Sequence, residues 1–382
     1  MRALFLFLFF VSLLYADRPR EAGIPFPGDT GPLNAITDVP GVTVGHASVI
    51  VDDEAGVPVA RSGVTAVLPR GKTYDPVFAG FHSLNGNGEM TGTHWVQESG
   101  FLEGPVMMTN THSIGAVHEG TLIWMRDNGY VPYYGLAALP VIAETWDGFL
   151  NDINGFHVRP HHAGIALSAA ESGPVSEGNV GGGTGMINFR FKGGIGTSSR
   201  VFSIGNQSYT LGVLVQSNFG RRSDFTLLGA PIGKLLTEEE APMPQRGEQP
   251  KVEGEGNSII AVVATDAPLM PHQLDRVAQR VSLGIGRTGG TGKNSSGDLF
   301  IAFSTANSGA WAADADKPLN LETISNDAID KLFDATIQAT EEAIVNALFA
   351  AETLTGRAGN TVYELPVEKV LEIMKVYARN DE

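Results

Sequence analysis

The sequence predicts an α+β fold, and three observations lead there. Short apolar runs recur at intervals too brief for helices, amphipathic helical stripes lie between them, and glycine is abundant, at 47 of 382 residues. That is about 12% against a usual figure of roughly 7%, with no G-x-y period, so it signals tight turns and close backbone approaches rather than collagen. Taken in order, Val64–Leu68 reads as a strand buried on both faces. Ser113–Met125 is an amphipathic helix. Gly164–Ser168, Tyr209–Gln216 and Ile259–Ala264 read as further buried strands. Pro271–Leu283 is a helix with proline suited to its first turn, and Leu299–Phe303 a strand. Asp327–Glu352 carries a helical stripe through Ile329, Leu332, Phe333, Ile337, Ile344, Leu348 and Phe349, capped by Ser325 or Asn326 and stopped by Gly356. Pro366–Tyr377 is a short terminal helix. No period of 20–50 residues repeats, which excludes solenoids and propellers.

Composition narrows the function classes. The formal net charge of −16 argues against nucleic acid as a general partner. The chain has no cysteine, which excludes disulfides, thiolate metal sites and cysteine nucleophiles. Residues 1–16 combine Arg2, an apolar run from Leu4 to Tyr15 and the small residue Ala16. The run is too short to span a bilayer and has the form of a signal peptide. The expectation is export to the periplasm or medium, with a mature chain that does not enter the membrane.

Standard catalytic signatures are absent. There is no GxSxG elbow, no SxxK and no HExxH. Gly290-Thr291-Gly292-Lys293 looks like part of a phosphate loop, but Arg287 and Asn294 stand where that motif needs Gly and Ser/Thr. His161 and His162 are adjacent, a poor spacing for a metal pair on a strand. Asn85–Glu89 is read as a turn.

One boundary stands apart. Thr237–Gly256 is rich in glutamate, proline and glycine and reads as an exposed, mobile linker. It runs through Asn257-Ser258 straight into the apolar strand Ile259–Ala264. An ordinary linker with a serine at a strand start is one reading. The other is chemical. A serine hydroxyl can attack the carbonyl before it, and hydrolysis of the resulting ester leaves Ser258 with a free amine. Such an amine has an unperturbed pKa of about 7.7–8.0, suited to a general base at neutral pH. Nucleophile and base then share one residue.

Eight blocks also carry a family resemblance. Asn34–His46, NGNGEMTGTHW (Asn85–Trp95), ETWDGFLNDINGFHV (Glu144–Val158) and KGGIGTSSR (Lys192–Arg200) are the first four. GVLVQSNFG (Gly212–Gly220), NSIIAVVATDAPL (Asn257–Leu269), SSGDLFIAFSTAN (Ser295–Asn307) and EAIVNALFAAETLTGR (Glu342–Arg357) complete the set. In order, and over essentially the whole mature chain, they resemble the DmpA-type (P1) self-processing serine aminopeptidases, peptidase family S58. The family includes L-aminopeptidase/D-amidases and β-peptidyl aminopeptidases.

The resemblance implies a four-layered α/β/β/α sandwich, like the N-terminal-nucleophile (Ntn) hydrolases but differently connected (DmpA/ArgJ-like). It implies self-cleavage between Asn257 and Ser258, giving a large piece of residues 17–257 and a small one of 258–382 that stay associated. Ser258 matches the nucleophile. Asn218 matches a side-chain amide that helps bind the oxyanion. Ser296 and Asp298 match a pair that orients the nucleophile and its amine. Glu144 matches the acid that holds the substrate's free amino group. Trp146 stands where the L-aminopeptidase branch has tyrosine. Its indole cannot take over a hydroxyl's role, so it is assigned as an apolar wall beside the substrate. Trp146 and the Asn257-Ser258 junction lean toward the β-peptidyl aminopeptidases. Expected substrates are short peptides, amino acid amides and esters. No cofactor or metal is implied, and a tetramer of processed pairs is. An ornithine-acetyltransferase-like transferase, with threonine as nucleophile, and a secreted binding protein are the alternatives from other classes.

Overall fold

The computed structural model describes residues 18–130, 138–247, 258–312 and 316–379. The signal-peptide expectation and Asn257 both lie outside these residues.

Two sheets face each other. The four-stranded sheet runs β1 (Thr43–Asp52), β2 (Pro58–Lys72), β5 (Val106–Asn110), β6 (Val141–Thr145). The six-stranded sheet takes β3 (Val77–Gly86) and β4 (Phe101–Leu102) from the same part of the chain. Its other members are β9 (Gly194–Ile204), β10 (Gln207–Asn218), β11 (Ser258–Thr265) and β12 (Gly297–Ser304), in the order β4-β3-β12-β11-β10-β9. Two small hairpins complete the strands, β7 (Ile187–Asn188) with β8 (Phe191–Lys192), and β13 (Leu354–Thr355) with β14 (Thr361–Val362).

The larger helices form the outer layers. On the four-stranded sheet lie α2 (Ile114–Asp127) and α3 (Pro160–Ser168); on the six-stranded sheet lie α5 (Pro271–Arg287) and α6 (Asp330–Phe349). The shorter helices α1 (Thr93–Ser99) and α4 (Ile232–Leu235) and the terminal α7 (Val367–Arg379) sit at the periphery. Three hydrophobic cores fill the interfaces: helices against the six-stranded sheet, sheet against sheet, and sheet against α2 and α3. This is the four-layered α/β/β/α sandwich.

The alternation of β11 shows how the sequence builds it. Ile259, Ala261 and Val263 enter the core under α5 and α6, while Ile260, Val262 and Ala264 enter the core between the sheets. Both faces are covered, so the strand reads as one apolar run. It is parallel to β12, reached through α5, and antiparallel to β10. Close layer contact depends on glycine at Gly196 of β9, where a Cβ would lie 2.0 Å from the Ala343 carbonyl of α6.

Several expectations change. Gly164–Ser168 is not a strand but the second half of α3, which starts with Pro160 at its first turn and buries Ala163, Ala166 and Leu167. Five apolar residues cannot distinguish the two periodicities, and Pro160 was the missed start signal. His161 and His162 accordingly lie on the first turn of a helix, with ring centroids 4.0 Å apart. Gly356 does not end α6, which stops at Phe349 with Ala350 as its cap; Gly356 lies beyond it, beside the β13–β14 hairpin. The stretch 237–247 is not a free linker. Ala241 is buried, Gln245 pairs with Thr361, and the Gly247 amide donates to Asn360 Oδ1 at 2.9 Å.

Two arginines tie down the first described segment. Arg18 pairs with buried Glu177 at 2.7 Å. Arg20 and Arg200 both reach Glu342 of α6, at 2.7 and 2.6 Å, and the Asn34 amide donates to the same carboxylate at 2.6 Å. Burial alone would push the Glu342 carboxyl up, but the two guanidiniums and Asn34 hold it below its ordinary value.

Candidate active site

Ser258 is the first residue of an interior strand, directly opposite Asn218, the last residue of β10. Both are buried, at 6% and 2% exposure. Strand alternation turns both toward the space between the sheets, since Ser258 shares parity with Ile260 and Asn218 with Leu214. The Gly297 amide donates to Ser258 Oγ at 3.0 Å.

Behind the serine, in register with Ile259, lies Asp298. Its Oδ1 accepts from Ser296 Oγ at 2.5 Å and its Oδ2 from Asn85 Nδ2 at 3.0 Å. Burial pushes the carboxyl up, opposed by those two side chains and the Ile259 amide. A small cavity lined by Phe219, Thr291, Lys293, Ser296 and Asp298 adjoins this pair. The stretch that resembled a phosphate loop is therefore one of its walls.

Asn218 is held at both ends of its amide. Oδ1 accepts from the Ile187 amide at 2.7 Å, and Nδ2 donates to the Trp146 carbonyl at 2.9 Å. One N–H of Nδ2 is left for another acceptor. Flipping the amide would set two carbonyl oxygens against each other at Trp146, so its orientation is fixed. The Trp146 indole packs over Gly148, where a Cβ would meet the ring at 2.5 Å.

Glu144 sits near the end of the edge strand β6, 3% exposed. Its Oε1 accepts from the Glu89 amide at 3.1 Å, and its Oε2 from the Thr111 hydroxyl. Burial pushes this carboxyl up, with Thr111 and Glu89 opposing. Among the described residues no ion pair is formed with it, His112 being a charge neighbour only, and an incoming ammonium would favour its charged form. The end of β3 at Asn85 and Gly86, which the sequence suggested as a turn, and the loop 87–89 after it join the two halves of the site. A Cβ at Gly88 would lie 3.1 Å from both Glu144 Oε1 and the Gly297 Cα, which places glycine between the carboxylate and the backbone that holds Ser258.

The structure thus groups Ser258 with Asn218, Ser296 and Asp298, and joins Glu144 and Trp146 to them through Gly88 and the Trp146 carbonyl. Sequence reasoning missed Asn85, which it took for a turn residue, and Thr111, which carried no signal. It also missed the Ile187 and Gly297 amides, which no side chain announces.

The chain is similar to known proteins over nearly its whole length. The family model of peptidase family S58 matches residues 34–362. The β-peptidyl aminopeptidase BapA of Sphingosinicella microcystinivorans is 50% identical over 373 residues, covering 95% of this chain and 93% of that protein. Its namesake from Sphingosinicella xenopeptidilytica is 45% identical over 380 residues, covering 95% and 92%. Among solved structures, the L-aminopeptidase D-Ala-esterase/amidase of Ochrobactrum anthropi, described as a prototype serine aminopeptidase and a variant of the Ntn hydrolase fold, superposes with a TM-score of 0.86. It has 46% identity and covers 95% of this chain and 99% of that one. A β-aminopeptidase of a Burkholderia species gives 0.84 at 44% identity, covering 94% and 98%. A serine at the head of a central strand, the sandwich around it and near full-length similarity all point the same way: the chain belongs to peptidase family S58.

Proposed function

We propose that this protein is a self-processing aminopeptidase with Ser258 as nucleophile, acting on short peptides and amides with an unblocked amino terminus, β-amino acid residues among them. The observation that carries the reading is Ser258 itself. It heads a rigid interior strand, its Oγ accepts from the Gly297 amide, and Asn218 and Asp298 lie on its two sides.

Maturation begins with attack of Ser258 Oγ on the Asn257 carbonyl carbon. The C–N bond breaks as the proton passes to the Ser258 nitrogen, and water hydrolyses the ester to an Asn257 carboxylate. In turnover the freed amine takes the hydroxyl proton while Oγ attacks the first amide carbonyl of the substrate. Asn218 Nδ2 and backbone amides receive the oxyanion. Ser296 and Asp298 steady the ammonium. The amine returns its proton to the leaving nitrogen, and water releases the acyl group by the reverse path.

Glu144 fits the substrate's ammonium through a charge-assisted hydrogen bond. Glu144→Gln is expected to raise KM for free-amine substrates, reflecting lost binding worth about 1.5–3 kcal/mol, with a smaller change in kcat. An unchanged KM would remove Glu144 from this role. Trp146 is the proposed wall of the substrate site.

The β-peptide assignment rests on the two BapA relatives. The Ochrobactrum enzyme, at 46% identity, supports L-aminopeptidase/D-amidase activity as a second reading. Hydrolysis of paired α- and β-amino acid p-nitroanilides separates the two. A denaturing gel with amino-terminal sequencing tests maturation: two chains are expected, the smaller beginning at Ser258. A single full-length band from active enzyme would overturn it. Export, signal removal after Ala16 and assembly into tetramers of processed pairs complete the proposal. No helix among the described residues is long and apolar enough to cross a membrane.

A further inference from the structure

Lys192 is fully buried at the end of β8, 0% exposed. Among the described residues no carboxylate pairs with it. Its Nζ instead donates to three backbone carbonyls, Gly193 at 2.7 Å, Met186 at 2.9 Å and Gly183 at 3.3 Å. Three acceptors around one nitrogen suit an ammonium, which has three N–H bonds, and not a neutral amine, whose lone pair would face a carbonyl. Burial pushes the Lys192 pKa down to about 7.

The Met186 carbonyl belongs to the same peptide unit as the Ile187 N–H. That N–H donates to Asn218 Oδ1. The Gly193 amide also donates to the Met186 carbonyl, at 3.0 Å. A continuous chain therefore runs from the Lys192 ammonium through the Met186–Ile187 peptide to the side chain of Asn218, the residue in register with Ser258, whose Nδ2 donates to the Trp146 carbonyl and keeps a second N–H for another acceptor. A positive charge at the carbonyl end pins the peptide and strengthens its N–H as a donor. That in turn fixes and polarises the Asn218 amide.

We infer that Lys192 is the positioning residue of the oxyanion site: its buried ammonium holds the Met186–Ile187 peptide, which orients Asn218 for the transition state. The inference rests on the oxyanion role proposed for Asn218.

The test is a double-mutant cycle of Lys192→Met and Asn218→Ala, with Lys192→Gln as a second replacement. Rates are measured per mole of exposed Ser258 amino terminus. Where a precursor does not mature, its rate of self-cleavage is read in the same cycle. Asn218→Ala is expected to lower kcat by ~10²–10³, the usual loss of one oxyanion donor. Lys192→Met is expected to lower kcat by roughly tenfold or more with little change in KM, because the interaction it supports is made only in the transition state. In the Asn218→Ala background, Lys192→Met should cost almost nothing further. Equal losses in both backgrounds, or a loss confined to KM, would reduce Lys192 to a structural role and overturn the inference. An Asn218→Ala enzyme with unchanged kcat would instead overturn the role of Asn218 itself. Should Lys192→Met not fold, Lys192→Gln takes its place in the cycle and is read by the same criteria, since it keeps a polar group but no charge.

Discussion

Ser258→Ala is expected to leave one uncut chain with no peptidase activity. The loss in turnover should be on the order of 10⁶-fold, the scale seen when a hydrolase loses its serine nucleophile. The methyl group of alanine occupies the same buried position, 6% exposed, without the oxygen that receives the Gly297 amide bond. Leaving one amide unpaired costs about 1–3 kcal/mol, too little to unfold a sandwich with three cores. The variant should therefore fold, which separates chemistry from stability. Intact mass of the purified variant, its thermal unfolding and hydrolysis of a free-amine p-nitroanilide together read the result. Cleavage before position 258 or residual burst kinetics in the variant would place the nucleophile elsewhere.

The second large effect is on stability. Glu342→Gln should destabilise the protein by about 3–5 kcal/mol, because a buried charge is left without its partner. Arg200, buried with Glu342, would lose its carboxylate partner at 2.6 Å, and Arg20 its contact at 2.7 Å. Arg20 is partly exposed, so most of the cost falls on Arg200. The pH dependence has a definite sign. The Glu342 carboxyl is held below its unfolded value, so its contribution is present above the ordinary glutamate pKa and is lost as pH falls through the lower folded value. Wild-type stability should thus decline on acidification below about pH 4, and Glu342→Gln should flatten that decline. Thermal unfolding as a function of pH checks both. Equal midpoints for variant and wild type at neutral pH would show that the cluster contributes nothing.

What the sequence revealed depends on where the signal resides. Strands β11 and β12 were legible because burial on both faces leaves eight consecutive buried residues in each. The long helix α6 was legible from its stripe. Its end was not, because Ala350 closes it without a glycine. The second half of α3 passed for a strand because alanine, isoleucine and leucine suit either element over so short a span. The candidates Ser258, Asn218, Ser296, Asp298 and Glu144 came from ordered blocks of resemblance, and the structure places them near one another. Their supports were hidden for a physical reason. Asn218 is fixed by a backbone N–H and a backbone carbonyl, and Lys192 acts through a peptide bond. Every residue has a backbone, so such partners leave no compositional trace.

The order of the six-stranded sheet has one more consequence. With the proposed cut before Ser258, β11 and β12 would belong to the small piece, while β3 on one side and β10 on the other would belong to the large one. The small piece is a wedge gripped along both edges. It would not peel away from one side, since separation would have to tear two hydrogen-bonded ladders and two cores at once. The barrier that prevents separation also prevents reunion: a stranded wedge would have to re-enter a gap that closes without it. On the proposed maturation, folding knowledge would be held by the uncut precursor and discarded with the cut, so a cut enzyme would persist by kinetic trapping, as a structure that is made once.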